Sequence, residues 1–191
     1  MSAGAHRTEK TVFAGFGGQG IISLGQIWVY CGMKEGREVS FFPFYGAEKR
    51  GGIARASCIV SDEPIANPII TRATSAVVMN RDSLPLGISV LGDGGLLLVN
   101  SSLVSDADIG QAAFPAGIRI LRVPATERAE ALGSARFANM VMLGALARAT
   151  GALKLTAAES ILKDFFPASK HSFIPVNLAA IRAGMDEPLR G

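Results

Sequence analysis

Thr11-Val12-Phe13-Ala14-Gly15-Phe16-Gly17-Gly18-Gln19-Gly20-Ile21-Ile22 is the stretch whose reading decides the fold. Thr11 to Ala14 read as a buried strand. From Ile21 to Tyr30 the apolar residues Ile21, Ile22, Leu24, Ile27, Trp28 and Val29 predict a helix, with Gly32 as its expected stop. Between them, Gly15, Gly17 and Gly20 satisfy G-x-G-x-x-G in the strand–turn–helix setting that a dinucleotide site requires. Glycine accepts positive φ and, lacking Cβ, lets a backbone or an anion come close. The following helix points its unpaired N–H groups and positive dipole end into that turn. The same construction also serves simply to pack a helix tightly on a strand.

A dinucleotide site further needs an acid at the end of the second strand to hold ribose hydroxyls. That strand is Glu38 to Phe42, and it runs into Pro43 and Phe44. Glu38 stands at its start and Glu48 beyond it in a loop, so the acid is missing from its place. The sequence therefore predicts that the glycine turn packs against a partner or an anion without binding a nicotinamide dinucleotide. A free-standing NAD(P)- or flavin-dependent oxidoreductase stays open as the alternative, and so does a non-catalytic assembly subunit.

Outward from the turn, alternating strands and helices predict an α/β class: a layered, Rossmann-like domain with a largely parallel sheet and helices on both faces. Further strands are expected over 53–60, 75–80, 94–100 and 118–123. Helices are expected from Thr126 to Leu132, Asn139 to Ala147, Thr156 to before Pro167, and Asn177 to Ala183. The 139–147 segment is apolar all round and must be buried. With 191 residues, 49% of them hydrophobic, the chain suits one domain over 11–191 behind a mobile tail over 1–10. The loop Tyr45-Gly46-Ala47-Glu48-Lys49-Arg50-Gly51-Gly52 follows the second strand, and in a parallel sheet it emerges on the same edge as the glycine turn. There Arg50, beside two glycines, could present its planar donor fork to a carboxylate or phosphate.

A net charge of +3 without a basic stripe gives no reason to expect nucleic acid. Thr11 to Met33 carries no formal charge and is long enough to span a bilayer, but its six glycines and two glutamines argue against a membrane helix. Neither a membrane protein nor a secreted one is expected, and the cytoplasm is the expected compartment. Cys31 and Cys58 sit singly in apolar segments, which suits reduced buried thiols and not a zinc or iron–sulfur site. His171 lacks a metal-spaced mate. Gly92-Asp93-Gly94 matches the start of a thiamine diphosphate–magnesium motif, but the asparagine pair about 25 residues later is absent. No catalytic triad or carboxylate pair can be assembled, so no catalytic or metal residue is assigned.

Three separated motifs carry a resemblance: Phe13-Ala-Gly-Phe-Gly-Gly-Gln-Gly-Ile21, Tyr45-Gly-Ala-Glu-Lys-Arg-Gly-Gly52, and Asn139-Met-Val-Met-Leu-Gly-Ala-Leu146. Together, and in this order, they resemble the gamma subunit of 2-oxoacid:ferredoxin (flavodoxin) oxidoreductases. The resemblance spans about Thr11 to Gly184. It departs at Ala47, where many members carry proline. It implies a subunit supporting CoA-dependent oxidative decarboxylation of a 2-oxoacid to acyl-CoA and carbon dioxide, with 2-oxoglutarate or a related ketoacid favoured. The implied partners are alpha and beta chains, with a ferredoxin-like delta chain as an optional member, and ferredoxin or flavodoxin as electron acceptor. Thiamine diphosphate, magnesium and the iron–sulfur clusters are implied on those partners, with coenzyme A as co-substrate. The isolated chain is expected to be inactive. The binding or subunit-interface residues expected on this basis are Gly15, Gly17, Gly18, Gln19, Gly20, Tyr45, Gly46, Glu48, Arg50, Gly51, Gly52 and Asn139.

Overall fold

A computed structural model describes residues 8–45 and 52–188. Six strands form one sheet in the order β2-β3-β1-β4-β5-β6. They are β1 (Thr8–Phe16), β2 (Glu38–Tyr45), β3 (Ile53–Ser61), β4 (Ala73–Val78), β5 (Leu91–Asn100) and β6 (Arg119–Val123). β1, β4, β5 and β6 pair in parallel, whereas β3 is antiparallel to both β1 and β2. Five strands thus run one way and β3 alone runs back. The largely parallel layered α/β sheet expected from the sequence is present. In a dinucleotide-binding fold, however, the second strand lies directly against the first. Here β3 is inserted between them, which moves the end of β2 to about 10 Å from β1, two strand spacings.

Helices cover both faces. On one side α1 (Ile21–Lys34) lies across β2 and β3, and α5 (Ala138–Thr150), α6 (Ala158–Phe165) and α7 (Ile174–Asp186) extend that layer. On the other, α2 (Leu84–Val90) covers β1, β4 and β5, and Val104 and Ile109 of the α3 region (α3, Asp106–Gly110) join its core. α4 (Ala125–Ala131) follows β6 and packs on α5. The 139–147 segment is buried throughout, as its all-round apolarity requires.

Several boundaries differ from expectation, among them β2 running on to Tyr45, β4 over 73–78 and β5 starting at Leu91, and three others have a direct packing reason. β1 starts at Thr8, not Thr11, because Glu9 is buried and accepts hydrogen bonds from Thr74 and Ser75 hydroxyls at 2.7 Å each. Residues 8–10 thus belong to the sheet and not to the tail, whose remainder, 1–7, lies outside the described residues. α1 passes through Gly32 and ends in a Schellman motif at Gly36 (φ +76), where Arg37 N–H reaches the Gly32 carbonyl and Gly36 N–H the Met33 carbonyl. Gly32 instead lets α1 settle onto the sheet, since a Cβ there would meet Val39 at 3.0 Å and Val60 at 3.1 Å. Likewise α7 runs through Gly184 to Asp186. Gly184 and Gly144 face each other's helix, and a Cβ on either would fall on a backbone carbonyl of the other.

Candidate functional site at the carboxyl edge of the sheet

The turn from β1 into α1 divides its glycines by task. A Cβ on Gly15 would meet Ile21 at 2.6 Å, Gln19 Oε1 at 2.8 Å and Met79 at 2.9 Å. Gly20 has φ +73 and sits against the Asn139 amide, which takes the space a Cβ would need. These two glycines serve packing within the chain. Gly17 and Gly18 face open space, both are exposed, and Gly18 has φ +95. They are the limb available to something outside.

Gln19 holds the turn in shape. Its Oε1 accepts from Phe16 N–H at 2.8 Å and from Asn80 Nδ2 at 2.6 Å. Asn80 Oδ1 in turn accepts from Ser83 N–H and Oγ, capping the 3₁₀ turn Arg81–Ser83 that opens α2. Further along, the Asn100 amide donates to the Met79 carbonyl and to Thr126 Oγ1, and its oxygen accepts from Thr126 N–H. An amide–hydroxyl network therefore runs along the carboxyl edge from β1 to β6. Asn80, Ser83, Asn100 and Thr126 were not singled out as site residues. The available signal was an asparagine immediately after one apolar strand and at the end of another. Thr126, expected at the start of its helix, lies within the first turn of α4 and is bonded by Asn100.

The β2–β3 hairpin reaches the same edge. Tyr45 is in register with Ala54, and Ala54 with Gly15. Gly17 N–H donates to the Gly52 carbonyl at 3.3 Å. The structure thus brings together Gly15, Gly17, Gly18, Gln19, Gly20, Tyr45 and Gly52, with Asn139 below Gly20. Gly46, Glu48, Arg50 and Gly51 lie outside the described residues. The route to this convergence differs from the expected one: β2 shares β1's direction because both flank β3, not because it is β1's parallel neighbour. The groups assembled here are backbone amides, carboxamides and hydroxyls. At neutral pH such groups bind and orient; they do not exchange protons readily.

Along residues 10–187 the sequence matches the family described as pyruvate ferredoxin/flavodoxin oxidoreductase. The chain belongs to that family. It is a gamma-type chain of the 2-oxoacid:ferredoxin oxidoreductases. It is 35% identical to the 2-oxoglutarate synthase subunit KorC of Methanothermobacter thermautotrophicus, over 93% of this chain and 94% of that one. It is also 35% identical to the ketoisovalerate oxidoreductase subunit VorA of the same organism, over 93% of this chain but 36% of VorA. The chain therefore spans about a third of one relative and nearly all of the other. Among solved structures, the pyruvate oxidoreductase subunit PORC of Thermotoga maritima superposes with a TM-score of 0.78 at 28% identity, covering 96% of this chain and 98% of PORC. The keto/oxoacid ferredoxin oxidoreductase gamma subunit of Geobacter sulfurreducens gives 0.78 at 26% identity.

Within this gamma-type chain the described residues contain no group of three His, Cys, Asp or Glu side chains placed to hold a metal ion. No helix of the described residues is long and apolar enough to cross a membrane. His171 is exposed, its Nε2 against the Lys163 and Phe166 carbonyls. Both cysteines are buried. Burial, with Glu35 as a secondary cause, pushes the Cys31 thiol up to about 12, and burial alone pushes Cys58 upward. Thiols of the unfolded chain ionise near pH 8.5. Above that pH the unfolded state loses protons that the folded state keeps, so stability falls as pH rises toward the folded value. Each cysteine should contribute a slope approaching about 1.4 kcal/mol per pH unit between roughly pH 9 and its folded pKa. Urea midpoints at pH 8 and pH 10.5 check this, with Cys31→Ala/Cys58→Ala as the control for other groups. Equal slopes in the two proteins would contradict the buried neutral thiols.

Proposed function

We propose that this chain supplies the gamma unit of a complex that oxidatively decarboxylates a 2-oxoacid with coenzyme A. The products are an acyl-CoA, carbon dioxide and two electrons passed to ferredoxin or flavodoxin. The observation that carries the reading is the 35% identity with KorC over 93% of this chain and 94% of KorC. By the same association 2-oxoglutarate, or a related ketoacid, is the preferred substrate. Thiamine diphosphate with magnesium and the iron–sulfur clusters belong on the partner alpha, beta and delta-type chains, where the thiamine supplies the carbanion chemistry. Two single buried thiols, held protonated, are the wrong donor set for a cluster in this chain.

This chain's own part is to bind and position. The open limb Gly17–Gly18, the end of β2 at Tyr45 and Gly52, the residue before β3, form one patch at the carboxyl edge, facing partner subunits and the route of coenzyme A. A free-standing nicotinamide or flavin enzyme is disfavoured, because β3 separates β2 from β1 and two of the three motif glycines are filled from within the chain. Co-expression with the alpha- and beta-type chains, followed by assay with 2-oxoglutarate, pyruvate and 3-methyl-2-oxobutanoate, tests the reading. Acyl-CoA should form with the complex and not with the isolated chain; turnover by the isolated chain, or a complex as active without it, would sink the proposal.

Arg50 is the residue to test within the 45–52 loop. In the assembled complex Arg50→Ala should raise the KM for coenzyme A or weaken assembly about tenfold, since an unpaired buried acceptor costs about 1–3 kcal/mol. Arg50→Lys should lose less, keeping the charge but not the planar fork. Wild-type assembly with unchanged coenzyme A kinetics in Arg50→Ala would decide for a solvated loop.

A further inference from the structure

The side of β2 turned away from α1 is unlike the rest of the protein. Val39 and Phe41 point toward α1, where they pack against its glycines, so Ser40, Phe42 and Phe44 face the opposite side. The helix on that side, α2, lies over β1, β4 and β5. Phe42 is left 59% exposed and Phe44 54% exposed, two residues apart on one strand. Arg55, directly opposite Phe44 across the β2–β3 pair, lays its guanidinium 5.9 Å from the Phe44 ring centre. Its Nε is buried and has no hydrogen-bond acceptor among the described residues. The guanidinium is thus left without an anionic partner at Nε, and a carboxylate meeting its outer nitrogens would offset part of that cost.

The backbone edge of β2 is a poorer docking element than this face. Pro43 sits mid-strand, and a residue without an N–H interrupts any ladder added there. The contact available is therefore side-chain packing across the sheet face, with a carboxylate aimed at Arg55. What must be accommodated is also suggested by the relatives. In VorA the matching unit is 36% of the chain, so that unit is joined there to further protein against which such a face can pack.

We propose that the Phe42–Phe44–Arg55 face is a docking surface for a partner subunit, which covers both rings with apolar side chains and places an Asp or Glu carboxylate against the Arg55 guanidinium. This rests on the chain being a subunit of a larger oxidoreductase. It concerns a different set of residues from the glycine-turn patch, on the sheet face and not its end. Aromatic side chains and arginine are the residue types that most often dominate the energetics of such interfaces.

The test uses the full-length chain co-expressed with its alpha- and beta-type partners, with affinity of assembly measured by titration of the purified chain into the remaining complex. Phe42→Ser/Phe44→Ser should weaken assembly on the order of 30-fold or more, as expected for hot-spot side chains. Arg55→Gln should weaken it about tenfold, with Arg55→Lys in between. The thermal midpoint of the isolated Phe42→Ser/Phe44→Ser variant should stay near that of wild type, because both rings are more than half exposed before assembly. Assembly of the double phenylalanine variant at wild-type affinity overturns the proposal while leaving the subunit reading intact. So does concentration-dependent self-association of the isolated wild-type chain that the same substitutions abolish, since the occupant would then be a second copy. Failure of wild type to assemble with any such chains overturns the subunit reading itself, and this inference falls with it.

Discussion

Replacing Gly144 with alanine is expected to destabilise the protein by more than about 3 kcal/mol, enough to leave most of the chain insoluble on expression. Helix propensity alone argues the opposite, since alanine in a helix interior is favoured over glycine by up to about 1 kcal/mol. The crossing of α5 with α7 reverses the sign. A Cβ on Gly144 would land on the Ile181 carbonyl oxygen, with Ile181 C at 2.9 Å and Met185 N at 3.0 Å. All three are backbone atoms of α7, so no side-chain rotation relieves the clash. The two helices must move apart, and the fully buried Val141, Leu143, Ala145 and Ala180 lose their packing with them. Gly184→Ala should behave alike, because its Cβ would meet the Val141 carbonyl. Gly110→Ala, at the end of α3 where no atom lies within 4 Å, is the control and should be neutral. Urea unfolding of the three variants decides the matter; a Gly144→Ala protein within about 0.5 kcal/mol of wild type would refute the packing argument.

The second large effect is expected at Gln19. Gln19→Leu keeps most of the volume but removes the oxygen shared by Phe16 N–H and Asn80 Nδ2. Two donors then lose their acceptor in a part-buried site, which should cost roughly 1–3 kcal/mol after allowing for water that can reach them. The turn should loosen at the same time, since the side chain joins its first residue to the loop that follows β4. Gln19→Glu retains the oxygens and should stay within about 1 kcal/mol of wild type at neutral pH, as a charged acceptor for the same two N–H groups. Equal stability of Gln19→Leu and wild type would show that the amide is not holding the turn.

Much of this architecture was legible from the residues. The turn after β1, the burial of 139–147 and the alternation of strands with helices follow from apolar periodicity and glycine placement. Strand direction does not, because a run such as Ile53 to Val60 looks the same whichever way it lies in the sheet. Hence the antiparallel insertion of β3 was invisible, although the edge on which the hairpin emerges was anticipated. Glycines were equally ambiguous. Gly32 read as a helix stop, and the last helix was expected to end at Ala183, just before Gly184, yet the missing Cβ atoms of these glycines serve close approach to β2 and β3 and to α5. Of the candidate site, the shared edge of the glycine turn and the segment after β2 was readable from the expected strand direction, whereas the packing of Asn139 against Gly20 was not. Nor were the amides of Asn80 and Asn100, since their role depends on neighbours far along the chain.

The position of α1 has a consequence for how the protein is made. One side of this helix rests on β2 and β3, and the other joins a core with α5 and α6. The first partners are synthesised soon after it, but roughly one hundred residues separate Lys34 from Ala138. At the usual pace of about 5–20 residues per second, a ribosome takes on the order of 5–20 seconds to cross that interval. During that time part of the apolar surface around Ile21, Leu24, Ile27 and Trp28 has no final cover, so the nascent chain emerges sticky and depends on its C-terminal third to become safe in the crowded cell.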